Sequence, residues 1–170
     1  TQELVDAYET KDGIPVLDLL KPYLDEAHLQ PNLNPANTLY DPQKPYENRD
    51  PRLYSTVFHD GSVRNLKTQE GIVRMYVGAD PTIADGNAAI SETDYRRTRT
   101  GYYLRKYVHF ESTNSNSIDG YFRIFRLAEM YLNYAEAEFY ANGVTPAALE
   151  AVNAVRRRAD MPDFEAGMSA

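Results

Sequence analysis

Apolar positions recur at helical spacing in one part of the chain and lose that rhythm in the rest. Arg123 to Asn142 contains no Gly or Pro, and Ile124, Leu127, Ala128, Tyr131, Ala135 and Phe139 fall on one face. The pattern predicts a helix of about five turns. Asn142-Gly143 predicts a left-handed cap, and Thr145-Pro146 opens a second helix whose inner face carries Leu149, Val152, Val155 and Ala159. Arg156, Arg157 and Arg158 complement the negative end of that helix, and Met161-Pro162 stops it. Two antiparallel helices on a short loop form an αα-hairpin of about the 34-residue size of a tetratricopeptide repeat. A lone hairpin cannot bury its apolar faces, and no second copy occurs in the sequence. Its partners must lie outside these residues, or the irregular part of the chain must stand in for them.

Before residue 123 the pattern fragments. Thr1 to Glu9 reads as a short helix capped by Thr1, with Leu4, Val5 and Tyr8 on one face and Lys11-Asp12-Gly13 as its stop. Val16 to Leu24 is apolar enough for another turn or two of helix, limited by Pro15 and Pro22. His28 to Pro51, rich in Pro and Asn, predicts a long irregular segment. Loops beyond about 12–15 residues are uncommon in compact domains, so this one is either packed by its own prolines or a contact surface. Asp50-Pro51 fits a helix start, and Arg52 to Phe58 suits a helical turn or a strand. Asp60-Gly61 signals a hairpin. Ile72 to Val77 and Tyr102 to Val108 read as strands, the latter at an edge because neither face is cleanly apolar. Gly78 to Thr100 and Ser112 to Ser117 read as loops. The residues therefore read as an αα-hairpin of tetratricopeptide size at 123–162, preceded by a loop-rich region with short helices and β-strands at 1–122.

Composition narrows the partners. The 170 residues carry 18 Lys and Arg against 25 Asp and Glu, a formal charge of -7 that disfavours nucleic acid. No apolar run reaches the roughly 18 residues of a membrane span. The opening Thr1-Gln2-Glu3-Leu4 has neither Met nor signal-peptide character and reads as an excised or mature segment. With no Cys, disulfides, thiolate catalysis and Cys-ligated metals are excluded within these residues.

Catalytic spacing is scarce. The nucleophile elbow, His-Glu-x-x-His, Gly-x-Gly-x-x-Gly and the phosphate loop are all missing from the sequence. His28, His59 and His109 stand far apart and read as surface or packing residues. Glu129 and Glu136 share one helix face with Asn133 between them, a conceivable acid–base pair, although Arg123, Arg126 and the second helix's arginines offer plain ion pairing. Arg96-Arg97-Thr98-Arg99 beside Tyr102 and Tyr103 reads as a solvated loop in so acidic a chain. Carboxylates such as Asp80 and Asp85 would need several more oxygen ligands to hold a metal. Tyrosine, at 14 residues, is the unusual feature: its flat face and polar tip suit wet interfaces and stacking on sugar rings. Tyr40 and Tyr46 sit in the Pro/Asn-rich segment and are the local candidates for glycan contact.

Several words of sequence resemble the SusD/RagB family. They are Thr1 to Glu9 with Asp12-Gly13, Asn48-Arg49-Asp50-Pro51-Arg52-Leu53-Tyr54, Thr100 to Tyr107, Arg126 to Ala137, and Val152 to Pro162, in that order along nearly the whole chain. The resemblance implies a lipid-anchored outer-membrane protein of Bacteroides-type bacteria that captures glycans, or in some members peptides, without catalysis or a cofactor. It further implies a mainly α fold of the α-α superhelix type with tetratricopeptide-like helix pairs, a TonB-dependent transporter as partner and an anchor outside this chain. Residues 1–170 would then be part of a SusD/RagB domain whose N-terminal helical repeats are not in this sequence. The matched words are scaffold, so no binding residue transfers by motif. A segment that only docks the transporter is the rival reading, and a glycosidase using Glu129 and Glu136 the remote one.

Overall fold

A computed structural model describes residues 2–66, 69–75, 97–113, 118, 120 and 123–167. Helix predominates over strand among them. In chain order the elements are α1 (Gln2–Asp6), α2 (Pro51–Thr56), β1 (Val57–Phe58), β2 (Val63–Leu66), β3 (Gln69–Ile72), β4 (Tyr103–Leu104), α3 (Leu127–Asn142) and α4 (Pro146–Arg157). The chain divides into two compact units, one of residues 1–5 with 52–120 and one of residues 6–51 with 121–170.

In the first unit, α2 and β1 share the stretch 51–58, so both readings of that sequence hold in succession. Helix α2 starts at Pro51, whose missing N–H costs nothing in the first turn. Strand β1 pairs antiparallel with β4 (Val57 opposite Leu104, Phe58 opposite Tyr103), and β2 pairs with β3. The turn at Asp60-Gly61 forms, with Gly61 at φ +80°, but it does not join paired strands. Asp60 instead spends its carboxylate on the Met75 N–H at 2.7 Å, and the hairpin lies one turn later, between β2 and β3. The strand expected over Ile72 to Val77 ends at Ile72 among the described residues, and that expected over Tyr102 to Val108 shrinks to β4. After β4 the N–H groups of Arg105 and Lys106 both turn to the Thr56 carbonyl, and Tyr107 takes φ +73°. Phe58, Val73 and Met75 form a small core with Tyr103 against it.

The second unit contains the hairpin. Helix α4 begins as its sequence demands: Thr145 is extended, its hydroxyl accepts from the Ala148 N–H, and Pro146 follows. The same hydroxyl donates to Glu138 of α3 at 3.0 Å, tying the two helices at their loop. Helix α3 is shorter than expected, starting at Leu127 because Arg126 is extended (φ -132°, ψ 148°) and offers no side-chain acceptor for the first turn. Its end is a positive-φ glycine but not a left-handed cap, since Gly143 has φ 78° and ψ -158°, a region open essentially to glycine alone. Helix α4 closes in a Schellman arrangement: Asp160 at φ +56° gives its N–H to the Arg157 carbonyl and Met161 gives its own to Arg156.

Burial departs from the expected helix faces. On α3 only Ala135 is buried among the described residues, whereas Leu127 is 70% and Phe139 52% exposed. On α4 the most buried positions are Ala148, Ala151, Asn153 and Arg156 rather than Leu149, Val152, Val155 and Ala159. Two sides of α4 are covered, one by α3 and the other by the chain around Glu9 and Phe164.

The stretch 16–24 is not helical. Asp18 accepts the N–H groups of Leu20 and Lys21, and the chain bridges outward at Leu17 to Leu33 and at Tyr23 to Pro31. A short apolar run between prolines gains more from this cross-chain pairing than from one helical turn, whose nucleation is unfavourable. Helix α1 likewise ends at Asp6, after which Thr10 bridges to Arg49. Residues 28–50 form no helix or strand beyond isolated bridges, in line with the irregular segment expected over His28 to Pro51, and are held by side chains, while Pro51 opens α2. Asn37 Nδ2 donates to the Thr10 hydroxyl (2.9 Å) and to the carbonyls of Ile14 (2.9 Å) and Pro15 (3.1 Å). Its Oδ1 accepts from Leu39 and Tyr40. Among the described residues no helix is long and apolar enough to cross a membrane.

Candidate functional site

The residues singled out from sequence fall at separate places. Tyr40 and Tyr46 are half-buried, less open than their segment implied. The Arg49 guanidinium lies 5.3 Å from the Tyr40 ring centre, while its own N–H groups donate to the carbonyls of Pro45 (2.7 Å) and Tyr8 (2.9 Å). This arrangement places a cation–π contact on one face of the Tyr40 ring. Glu129 and Glu136 are exposed on α3.

The histidines are surface or packing residues, with His28 and His109 exposed. His28 stacks on Tyr23 with ring centres 4.3 Å apart, His59 is buried with Nδ1 2.7 Å from the Asp60 carbonyl, and His109 Nδ1 accepts from the Glu111 N–H. Among the described residues no cluster of three His, Asp or Glu could hold a metal. Asp80, Asp85 and Arg96 lie outside the described residues. Of the basic–aromatic stretch, Tyr103 is turned to structural use, its hydroxyl accepting the Thr98 N–H at 2.9 Å.

The arginines of the hairpin divide into two groups. Arg156 is buried and forms a bidentate pair with Glu9 (3.1 and 2.9 Å), donates from Nε to the Pro162 carbonyl, and stacks on Phe164 at 3.7 Å. Arg157 holds Glu150 with both terminal nitrogens and Asp163 with Nε. The Arg157 hydrogen bonds, followed by its charge, lower the Glu150 carboxyl below its ordinary 4.5. Neither arginine pairs with Glu129 or Glu136, contrary to the sequence expectation, and Arg156 serves a packing role rather than the helix dipole.

Arg123, Arg126 and Arg158 behave differently. They line a cavity of about 390 Å³ between the start of α3 and the end of α4, with Tyr131, Leu127 and Val155 in its wall. Among the described residues no acidic side chain lines it and none of the three arginines enters an ion pair. Sequence reasoning missed this grouping. The available signal was the three-residue spacing of Arg123 and Arg126 at the mouth of one helix, opposite Arg158 at the end of its antiparallel neighbour.

Comparison with known proteins now bears on these features. The SusD family model matches residues 1–170. The chain belongs to the SusD family. A SusD-like protein (BF3747) from Bacteroides fragilis NCTC 9343 is similar over 98% of this chain at 30% identity, with a TM-score of 0.60. The protein BT4246 shares the fold over 100% of the chain at 22% identity, also with a TM-score of 0.60. A search of curated proteins gives no match. This SusD-family chain spans 30% of the length of the first structure and 28% of the second. The hairpin α3–α4 is accordingly the tetratricopeptide-like element of a mainly helical SusD-like fold.

Proposed function

We propose that this chain belongs to a surface receptor that captures extracellular glycan without chemistry and delivers it to a TonB-dependent transporter in the outer membrane. The observation that carries the reading is the match of the SusD family along all of residues 1–170. The receptor is lipid-anchored on the extracellular face through a segment other than this one, and residues 1–170 are part of one SusD/RagB domain. Binding rests on shape, aromatic faces and hydrogen bonds to hydroxyls, with no cofactor. Tyr40, in cation–π contact with Arg49, and Tyr46 are the proposed aromatic contacts. The exposed setting of Glu129 and Glu136 supports a non-catalytic role.

The test is calorimetric titration of the intact protein with plant, host and microbial polysaccharides and a peptide digest, followed by analysis for cleavage. Saturable binding of a polysaccharide without products is expected, and it should weaken in Tyr40→Ala or Tyr46→Ala. Binding of the peptide digest alone would replace glycan by peptide, and products would overturn the non-catalytic reading. Silence across the panel from a folded protein would leave a segment that docks the transporter.

A further inference from the structure

We infer that the cavity between α3 and α4 is a subsite for a carboxylate-bearing sugar, a uronic-acid unit of an acidic glycan. The proposal rests on the glycan-receptor reading above and adds a substrate class to it. Three exposed arginines, Arg123, Arg126 and Arg158, line one cavity, and among the described residues no carboxylate lines it, in a chain whose formal charge is -7. Elsewhere in the same hairpin the rule is the reverse: Arg156 has Glu9, and Arg157 has both Glu150 and Asp163. All three are exposed to solvent, and an anion seated among them would be attracted by each.

Helix ends do not set the sign of this site. The start of α3 and the end of α4 lie side by side, so their opposite partial charges offset, and the arginines dominate the field. Guanidinium groups are planar forks matched to carboxylate oxygens, which they hold through paired hydrogen bonds. The other walls suit a sugar ring. Tyr131 brings an aromatic face, and Leu127 and Val155 bring apolar surface for the C–H face of a pyranose. The volume of about 390 Å³ lies in the range of small-molecule sites and admits a ring together with its charged substituent.

An acidic peptide could offer the same carboxylate but not the rigid ring beside it, so the mixed wall favours the sugar. The test uses intact protein and calorimetry with three probes: an oligogalacturonate, its methyl ester of equal length, and an oligoglutamate of equal charge. The oligogalacturonate is expected to bind about tenfold or more tightly than the ester, from the usual weight of a charge-assisted contact. The double variant Arg126→Gln/Arg158→Gln should erase that preference, and added salt should weaken it. Arg157→Gln removes the same charge a residue away, outside the cavity, and should leave the preference intact. Melting curves of all variants establish that they are folded.

Equal binding of ester and acid, or an equal loss in Arg157→Gln, would overturn the subsite. If either came with retained glycan binding, the receptor reading would survive without it. Oligoglutamate bound through the same arginines while oligogalacturonate fails would assign the cavity to acidic peptide. Failure of every glycan, neutral or acidic, in the panel above would sink the receptor reading itself.

Discussion

Glu9 and Arg156 form a buried two-pronged ion pair across 147 positions of sequence, at 3.1 and 2.9 Å. Phe164 lies under the guanidinium, and Asn153 clamps the Phe164 backbone by donating to its carbonyl (3.0 Å) and accepting its N–H (2.8 Å). Arg156 is buried and Glu9 half-buried, so removing one charge strands the other and costs up to about 3–5 kcal/mol. Glu9→Gln and Arg156→Met should each lower the urea midpoint accordingly. The double variant should lose less than the sum of the two, because the second change removes the stranded charge.

Gly13 packs against the same arginine. It has φ +81°, and a Cβ there would stand 2.8 Å from Arg156 Nη2 and 2.9 Å from Pro162 Cγ. Gly61 has nearly the same backbone, φ +80°, with nothing within 4 Å of such a Cβ. Gly61→Ala should therefore show the conformational penalty alone, about 1–2 kcal/mol. Gly13→Ala should exceed it in denaturant melts, and equal losses would refute the crowding.

Thr145 works at both ends of its hydroxyl, accepting from Ala148 and donating to Glu138. Thr145→Ala is expected to cost about 1 kcal/mol, the usual weight of a helix cap. Thr145→Ser should recover most of the loss, as read by thermal unfolding.

Glu150 supplies a pH-dependent contact. Because the Arg157 hydrogen bonds and charge lower its carboxyl from 4.5, its contribution to folding is complete above that unfolded value. The contribution disappears as pH falls through the lowered folded value. Carboxyl NMR titration should find the Glu150 midpoint below 4.5, moving back toward 4.5 in Arg157→Gln. Salt should shrink the shift, since the pair is exposed.

Local chemistry was readable in the sequence, and long-range pairing was not. Thr145-Pro146 announces a helix start because cap and φ restriction act within a few residues. Asp50-Pro51 does the same for α2. Val16 to Leu24 has a helix-compatible composition, but its partners at Pro31 and Leu33 are known only once the chain has folded back. Arg156 looked like a dipole complement for the same reason, its carboxylate being at Glu9. The apolar pattern of α3 gave the helix but not its burial, since Leu127 and Phe139 remain largely exposed. The arginine cavity needs the antiparallel arrangement of α3 and α4 before its three charges become neighbours.

The asparagine-held segment has a consequence for how such chains diverge. Asn37 on one side and Arg49 on the other fasten the chain to Thr10, Ile14, Pro15 and Tyr8, and the exposed tip from Asp41 to Lys44 hangs between them. Its contacts among the described residues are local, such as Gln43 N–H to Asp41 and the exposed Lys44–Glu47 pair. Doubling the length of such a loop costs only about 0.6 kcal/mol in closure entropy. Insertions at 41–44 are therefore thermodynamically cheap, so relatives can vary the outline of this surface while Asn37 and Arg49 keep its base unchanged.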